Sequence, residues 1–116
     1  LTSFEAIADE MRPGTPIGTL MDTYERTLLR EGKGRYGFSH PMMHARGLGD
    51  ERPAQFGDVG LEEFRRIELK AGMTFVLKPR TQARQGKRMA QIGDTVQVTR
   101  SGGKRLGTRQ LELRVV

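Results

Sequence analysis

No cysteine occurs among the 116 residues, which excludes disulfides, thiolate nucleophiles and cysteine-held zinc. Tryptophan is also absent, and aromatic residues make up 6% of the chain, too few for the interleaved platforms that stack on single-stranded bases. No apolar run approaches the roughly 20 residues of a membrane helix, and no basic-then-apolar leader opens the sequence. A soluble chain is expected, with the cytoplasm as its compartment and no membrane as a partner.

Positive charge is in excess: Lys and Arg number 20 against 14 Asp and Glu, giving a formal net charge of +6. Acidic partners therefore need weighing. The basic residues are dispersed, with the densest groups at Arg80, Arg84, Lys87 and Arg88, then at Arg100, Lys104, Arg105, Arg109 and Arg114. They lie around predicted turns, as on a solvated basic surface, and nucleic acid is not an expected partner.

The length suits one domain that buries about two-thirds of its unfolded surface. Residues 1 to 116 are read as a single domain. The chain opens on Leu1, already within a helical pattern, so it is expected to be a portion of something longer.

Thr2 and Glu5 have capping-box spacing, and Phe4, Ile7, Ala8 and Met11 follow at helical intervals, which predicts a helix over residues 3 to 11. "RPGTP" ends it. Thr15 can cap a second helix with Pro16 in its first turn, and Ile17, Leu20, Met21, Tyr24, Leu28 and Leu29 form its apolar stripe to about Arg30. From Tyr36 to Pro53 glycines, prolines and both histidines replace the periodicity, so a loop or short strands are expected there. Residues 54 to 68 read as a surface connection carrying the charged patch "EEFRR".

The remainder reads as strand. Met73 to Leu77 is one strand, Met89 to Thr99 a long one, "SGG" at 101 to 103 a turn, and Leu111 to Val116 a closing strand. Alternation points Ile92, Asp94, Val96 and Val98 one way, and Gly93, Thr95, Gln97 and Thr99 the other. Helices followed by locally joined strands specify an α+β fold with an antiparallel sheet.

Few residues could carry chemistry. The histidines, His40 and His44, are four apart, with Asp50 and Glu51 close behind. On a helix that spacing would aim two imidazoles at one metal, but Pro41 opposes a helix starting at His40. One histidine bonded to a loop carbonyl is an equal reading. "GKGRYG" is not followed by a helical pattern, so no nucleotide-binding loop is present. Ser39 beside His40 lacks the G-x-S-x-G frame of a nucleophile elbow.

Taken in order, "HARGL" at 44 to 48, "DERP" at 50 to 53, "LKAGMTFVLKP" at 69 to 79, "IGDTVQVT" at 92 to 99 and the closing "RQLELRVV" resemble the pita-bread family of methionine aminopeptidase, aminopeptidase P, prolidase and creatinase. The helical stretch led by "MRPGTP" matches as well. The resemblance implies the C-terminal half of a pita-bread fold, with two helices packed on a curved antiparallel sheet. It also implies metallopeptidase chemistry of the Xaa-Pro dipeptidase type, with small-molecule or short-peptide ligands and a homodimer as the assembly.

Metallopeptidases of this family hold two metal ions with two aspartates from the first half, then a histidine and two glutamates from the second. Carried over by position, the histidine falls on His44, the first glutamate on Lys78 and the second on Gly93. An ammonium has no lone pair to give a cation, and glycine has no side chain. The resemblance therefore implies a degenerate dinuclear site and no cofactor.

In one reading, Lys78 replaces the metal's positive charge and binds an anionic group of a small ligand, with His44, Asp50 and Glu51 as catalytic candidates. His40 and Arg46 are further ligand-binding candidates. An exposed strand-end lysine with its stem on the sheet is the plain alternative for Lys78. Two other functional readings stay open. One is an active prolidase or aminopeptidase P using manganese, cobalt or zinc on substituted ligands such as His40, His44, Asp50, Glu51 and Asp94. The other is a non-catalytic binding module.

Overall fold

The computed structural model describes residues 1–30, 42–46, 50–54, 60–82 and 89–112. Helix α1 spans Thr2–Glu10 and α2 spans Ile17–Arg30, as the apolar spacing predicts. The capping box does not form. Leu1 takes the N-cap position without a side-chain hydrogen bond, and its carbonyl accepts from the Glu5 N–H. Thr2 already lies inside the helix, so its hydroxyl is not placed to cap it.

On α2 the buried face is Ile17, Leu20, Met21, Tyr24 and Leu28, joined by Thr23 and Thr27. The Thr27 hydroxyl donates to the Thr23 carbonyl at 2.7 Å, which satisfies a buried polar group within the helix. Leu29 does not belong to the stripe: it is 61% exposed, because its step round the helix carries it past the buried arc.

Strands β1 (Met42–Arg46) and β2 (Asp50–Ala54) are followed by helix α3 (Leu61–Arg66). This helix corrects the expected surface connection. Its acidic first turn, Glu62 and Glu63, and basic last turn, Arg65 and Arg66, suit the helix dipole, and it buries Phe64. With six residues it is too short for apolar periodicity to reveal.

Strand β3 covers Thr74–Lys78, and the segment expected as one long strand is two, β5 (Met89–Gln91) and β6 (Asp94–Thr99). Strand β4 (Arg80–Gln82) pairs with β5 in a two-stranded sheet, while β3 pairs with β6. The register is continuous from Leu77↔Asp94 to Arg80↔Gln91, which sets Lys78 opposite Gly93 and Pro79 opposite Ile92. Pro79 offers the ladder no N–H, so one long hairpin is interrupted there and only the Ile92 N–H to Pro79 carbonyl contact, 3.4 Å, spans the gap.

The expected turn at 101 to 103 also shifts. Gly102–Arg105 forms strand β7, with Thr99 opposite Gly102 and a tight turn at Arg100 and Ser101. Residues 111 and 112 are not in a strand, and 113–116 lie outside the described residues.

The main sheet therefore has five antiparallel strands in the order β2-β1-β3-β6-β7, more than the three read from the sequence. One face, with Met43, Phe75, Leu77, Val96 and Val98, is buried in one cluster with Phe4, Ile7, Met11, Ile17, Leu20 and Tyr24 of the helical segment. Helix α1 approaches β7 where glycines clear the way: a Cβ on Gly103 would stand 2.6 Å from Val96 Cγ1 and 3.0 Å from the Ala8 carbonyl oxygen. Residues 14–17 are tied to 67–69 by N–H donation from Gly14 to Leu69, Ile17 to Ile67 and Leu69 to Thr15.

Candidate functional site

The second face of the sheet carries Lys78 and His44 among the candidate residues. Strand alternation buries Phe75 and Leu77 and leaves Thr74, Val76 and Lys78 half-buried on the other side. On β6 the partners of that row are Thr95, opposite Val76, and Gln97, opposite Thr74. On β1 the register puts His44 opposite Val76 and Met42 opposite Lys78. His44 and Lys78 are thus diagonal neighbours on adjacent strands, a relationship that sets Cα atoms roughly 7–8 Å apart.

His44 is 6% exposed, and its Nδ1 lies 3.3 Å from the Ala45 carbonyl oxygen, a weak contact at best. The irregularity in the β1–β2 ladder falls between His44 and Ala45, so the strand is re-aimed beside the imidazole.

Lys78 meets Gly93 directly. A Cβ built on Gly93 would stand 3.0 Å from Lys78 Cγ and 3.8 Å from Lys78 Cβ, so the lysine stem lies over the bare glycine. Among the described side chains of this face none is a carboxylate. Asp94 follows Gly93 but sits opposite Leu77 on the helix side, as alternation requires. There its Oδ2 accepts from Arg105 Nε at 2.8 Å and its Oδ1 accepts from the Thr95 N–H at 2.7 Å. The Asp94 side chain is 13% exposed and that of Arg105 32%.

Asp50 and Glu51 stand in β2 opposite Arg46 and Ala45 of β1. Their rows align with the start of β3, since Ala45 faces Phe75, whereas Lys78 ends that strand. The backbone therefore places them three or more residues along the sheet from Lys78, on the order of 10 Å, besides the strand between. Arg46 belongs to the same end as Asp50. His40 lies outside the described residues. Among the described residues no group of three His, Asp or Glu is arranged to hold a metal ion.

Sequence reasoning did not find the role of Arg105, because an ion pair across a hairpin has no local pattern. Nor did it find the Tyr24 hydroxyl, which donates to the Arg80 carbonyl from a helix far away in sequence. No described helix is long and apolar enough to cross a membrane.

The model of metallopeptidase family M24 matches residues 1–100. Solved structures share the fold. A dipeptidase PepE from Mycobacterium ulcerans is 29% identical, with a TM-score of 0.75 over 96% of this chain and 28% of its own. A prolidase from Thermococcus sibiricus is 26% identical, with a TM-score of 0.75 over 97% of this chain and 29% of its own. An X-Pro aminopeptidase from Thermotoga maritima, 20% identical with a TM-score of 0.80, shows likeness of fold over 99% of this chain and 30% of its own. The chain thus spans less than a third of the length of these proteins. No curated protein matches it.

Proposed function

The chain belongs to metallopeptidase family M24, and from that premise we propose that it is part of an Xaa-Pro dipeptidase relative whose dinuclear metal site is lost and replaced by a cationic site for a small anionic ligand. The observation that carries this reading is the apposition of Lys78 and Gly93 on the face that holds His44. By resemblance these three positions are the second-half ligands of the family's metal pair.

The residues present do not fit such a pair. His44 can offer a ring nitrogen, but Lys78 contributes a positive charge and no lone pair, and Gly93 contributes nothing beyond its backbone. Two carboxylates are what make a site of this kind selective for hard or borderline divalent ions. Asp94 is no substitute, because it faces the helices and is engaged by Arg105. A half-buried ammonium on this face attracts a carboxylate or another small anion instead, and the neighbouring imidazole can accept or donate a proton to what is bound. Asp50 and Glu51 remain candidates for catalysis only with a ligand long enough to reach along β1.

The test is the divalent metal content, by plasma mass spectrometry, of the longest soluble form of the protein beside the double variant Lys78→Glu, Gly93→Glu. The wild type is expected to hold no stoichiometric metal and the double variant to gain it. About two ions per chain in the wild type, with manganese-dependent cleavage of an Xaa-Pro dipeptide, would overturn the proposal and restore the peptidase with substituted ligands.

A further inference from the structure

Lys78 could satisfy the reading above while waving freely in solvent, yet the structure gives its stem a defined resting place. Carbon atoms in contact settle about 3.5–4.0 Å apart. A methyl group on Gly93 would stand 3.0 Å from Lys78 Cγ, so it could be admitted only if the lysine moved. The atom in conflict is near the root of the side chain, where displacement swings the whole stem. Gly93 also lacks the left-handed φ that would otherwise explain a glycine, since the positive-φ glycines are Gly14, Gly60, Gly72 and Gly102. Within a strand register, a glycine without that backbone need marks a close approach by another group.

We infer that Gly93 is the positioning residue of the Lys78 site: the space where its side chain would be is the slot in which the lysine stem lies, and this fixes the ammonium on the His44 face. The inference rests on the proposed cationic site for its functional meaning, but the slot itself is a property of the two residues. Lys78 is half-buried at the end of β3, with Val76 and Thr95 forming the next row of the same face. A stem seated there loses little further freedom when an anion binds, which favours binding by a single lysine. One ammonium beside apolar and hydroxyl neighbours suits a single carboxylate group.

The experiment is competitive acetylation of lysines with mass-spectrometric readout on the longest soluble form, with and without acetate as the probe anion. Lys70 and Lys104, both exposed, are the internal standards. In the wild type Lys78 is expected to react several-fold more slowly than either. In Gly93→Ala its reactivity should rise toward theirs, and acetate, which shields Lys78 in the wild type, should shield it less.

Unchanged Lys78 reactivity in Gly93→Ala would overturn the inference whatever acetate does. A rise in Gly93→Ala without acetate protection in the wild type would sustain the slot and defeat the anionic-ligand reading, so the two failures are distinguishable. Should Gly93→Ala not fold, the double variant Lys78→Ala, Gly93→Ala decides. Recovery of folding shows that the conflict is with the lysine stem, and continued failure to fold overturns the inference.

Discussion

Lys78, the last residue of β3, faces Gly93, which lies in the short break between β5 and β6, and the lysine Cγ lies only 3.0 Å from where a Gly93 Cβ would stand. The register and the packing couple them: a methyl added at Gly93 requires the lysine stem to give by a few tenths of an ångström.

That coupling is measurable without any assumption about function. In urea denaturation, Lys78→Ala should be nearly silent on its own, while Gly93→Ala, at an exposed position, should cost about 0.5–1.5 kcal/mol by pushing the lysine stem off its rotamer. The double variant should recover part of that loss. Strict additivity would show that the stem does not occupy the glycine's space.

Gly103→Ala should be among the more destabilising small substitutions. The new methyl would press on Val96 Cγ1 and the Ala8 carbonyl, both fixed in the core between β7 and α1. A loss of about 1–3 kcal/mol is expected, read as a lower urea midpoint. Gly14→Ala is the contrast: nothing lies within 4 Å of its Cβ, so only the strain of φ +85° is felt. That costs on the order of 1–2 kcal/mol.

Arg105→Ala should destabilise by about 1–3 kcal/mol, because it strands a mostly buried Asp94 carboxylate without its charged partner. Asp94→Asn should be milder, since the amide oxygen can still accept the Thr95 N–H. Thermal melts of the two variants check the order. Neither change should alter the metal content of the protein.

Phe64→Ala should cost about 3–5 kcal/mol, as it empties the anchor of α3. Asp22→Asn should cost well under about 1 kcal/mol although it breaks the 2.8 Å pair with Arg65, because both groups are substantially exposed. The Asp22 hydrogen bond raises the Arg65 pKa above an already high value. The sign follows from linkage: stability from a raised cation is present below the unfolded pKa and is lost only in strong alkali. The contribution is therefore flat across neutral pH, and equal midpoints at pH 6 and pH 8 for this pair would bear that out.

Tyr24→Phe tests the longest-range polar tie described. The ring would stay buried, but the hydrogen bond from the Tyr24 hydroxyl to the Arg80 carbonyl would be lost, for an expected cost of about 1–2 kcal/mol. Denaturation of the variant beside the wild type measures it.

Much of the architecture was legible in the residues themselves. The spacing of Phe4, Ile7, Ile17, Leu20 and Tyr24 fixed two amphipathic helices, and the alternation around Phe75, Leu77, Val96 and Val98 fixed which strand residues enter the core. Both signals are periodic, and burial of one face is the physical cause of each. The same alternation put Gly93 and Thr95 on one side and Asp94 on the other, and the family resemblance rested on an ordered series of motifs.

What the sequence could not decide were relationships between segments. Pro79 was visible as a proline, but only pairing with the strand opposite shows that it splits one hairpin into two sheets. The glycines at 102 and 103 looked like a turn because composition marks flexibility, whereas their place is set by the close approach of α1. Helix α3 was too short to carry a period, and its existence depends on Phe64 finding the core. The identities of Lys78 and Gly93 were plain from the start. That the stem of one fills the vacancy of the other is a property of strand register, and register exists only once the sheet has formed.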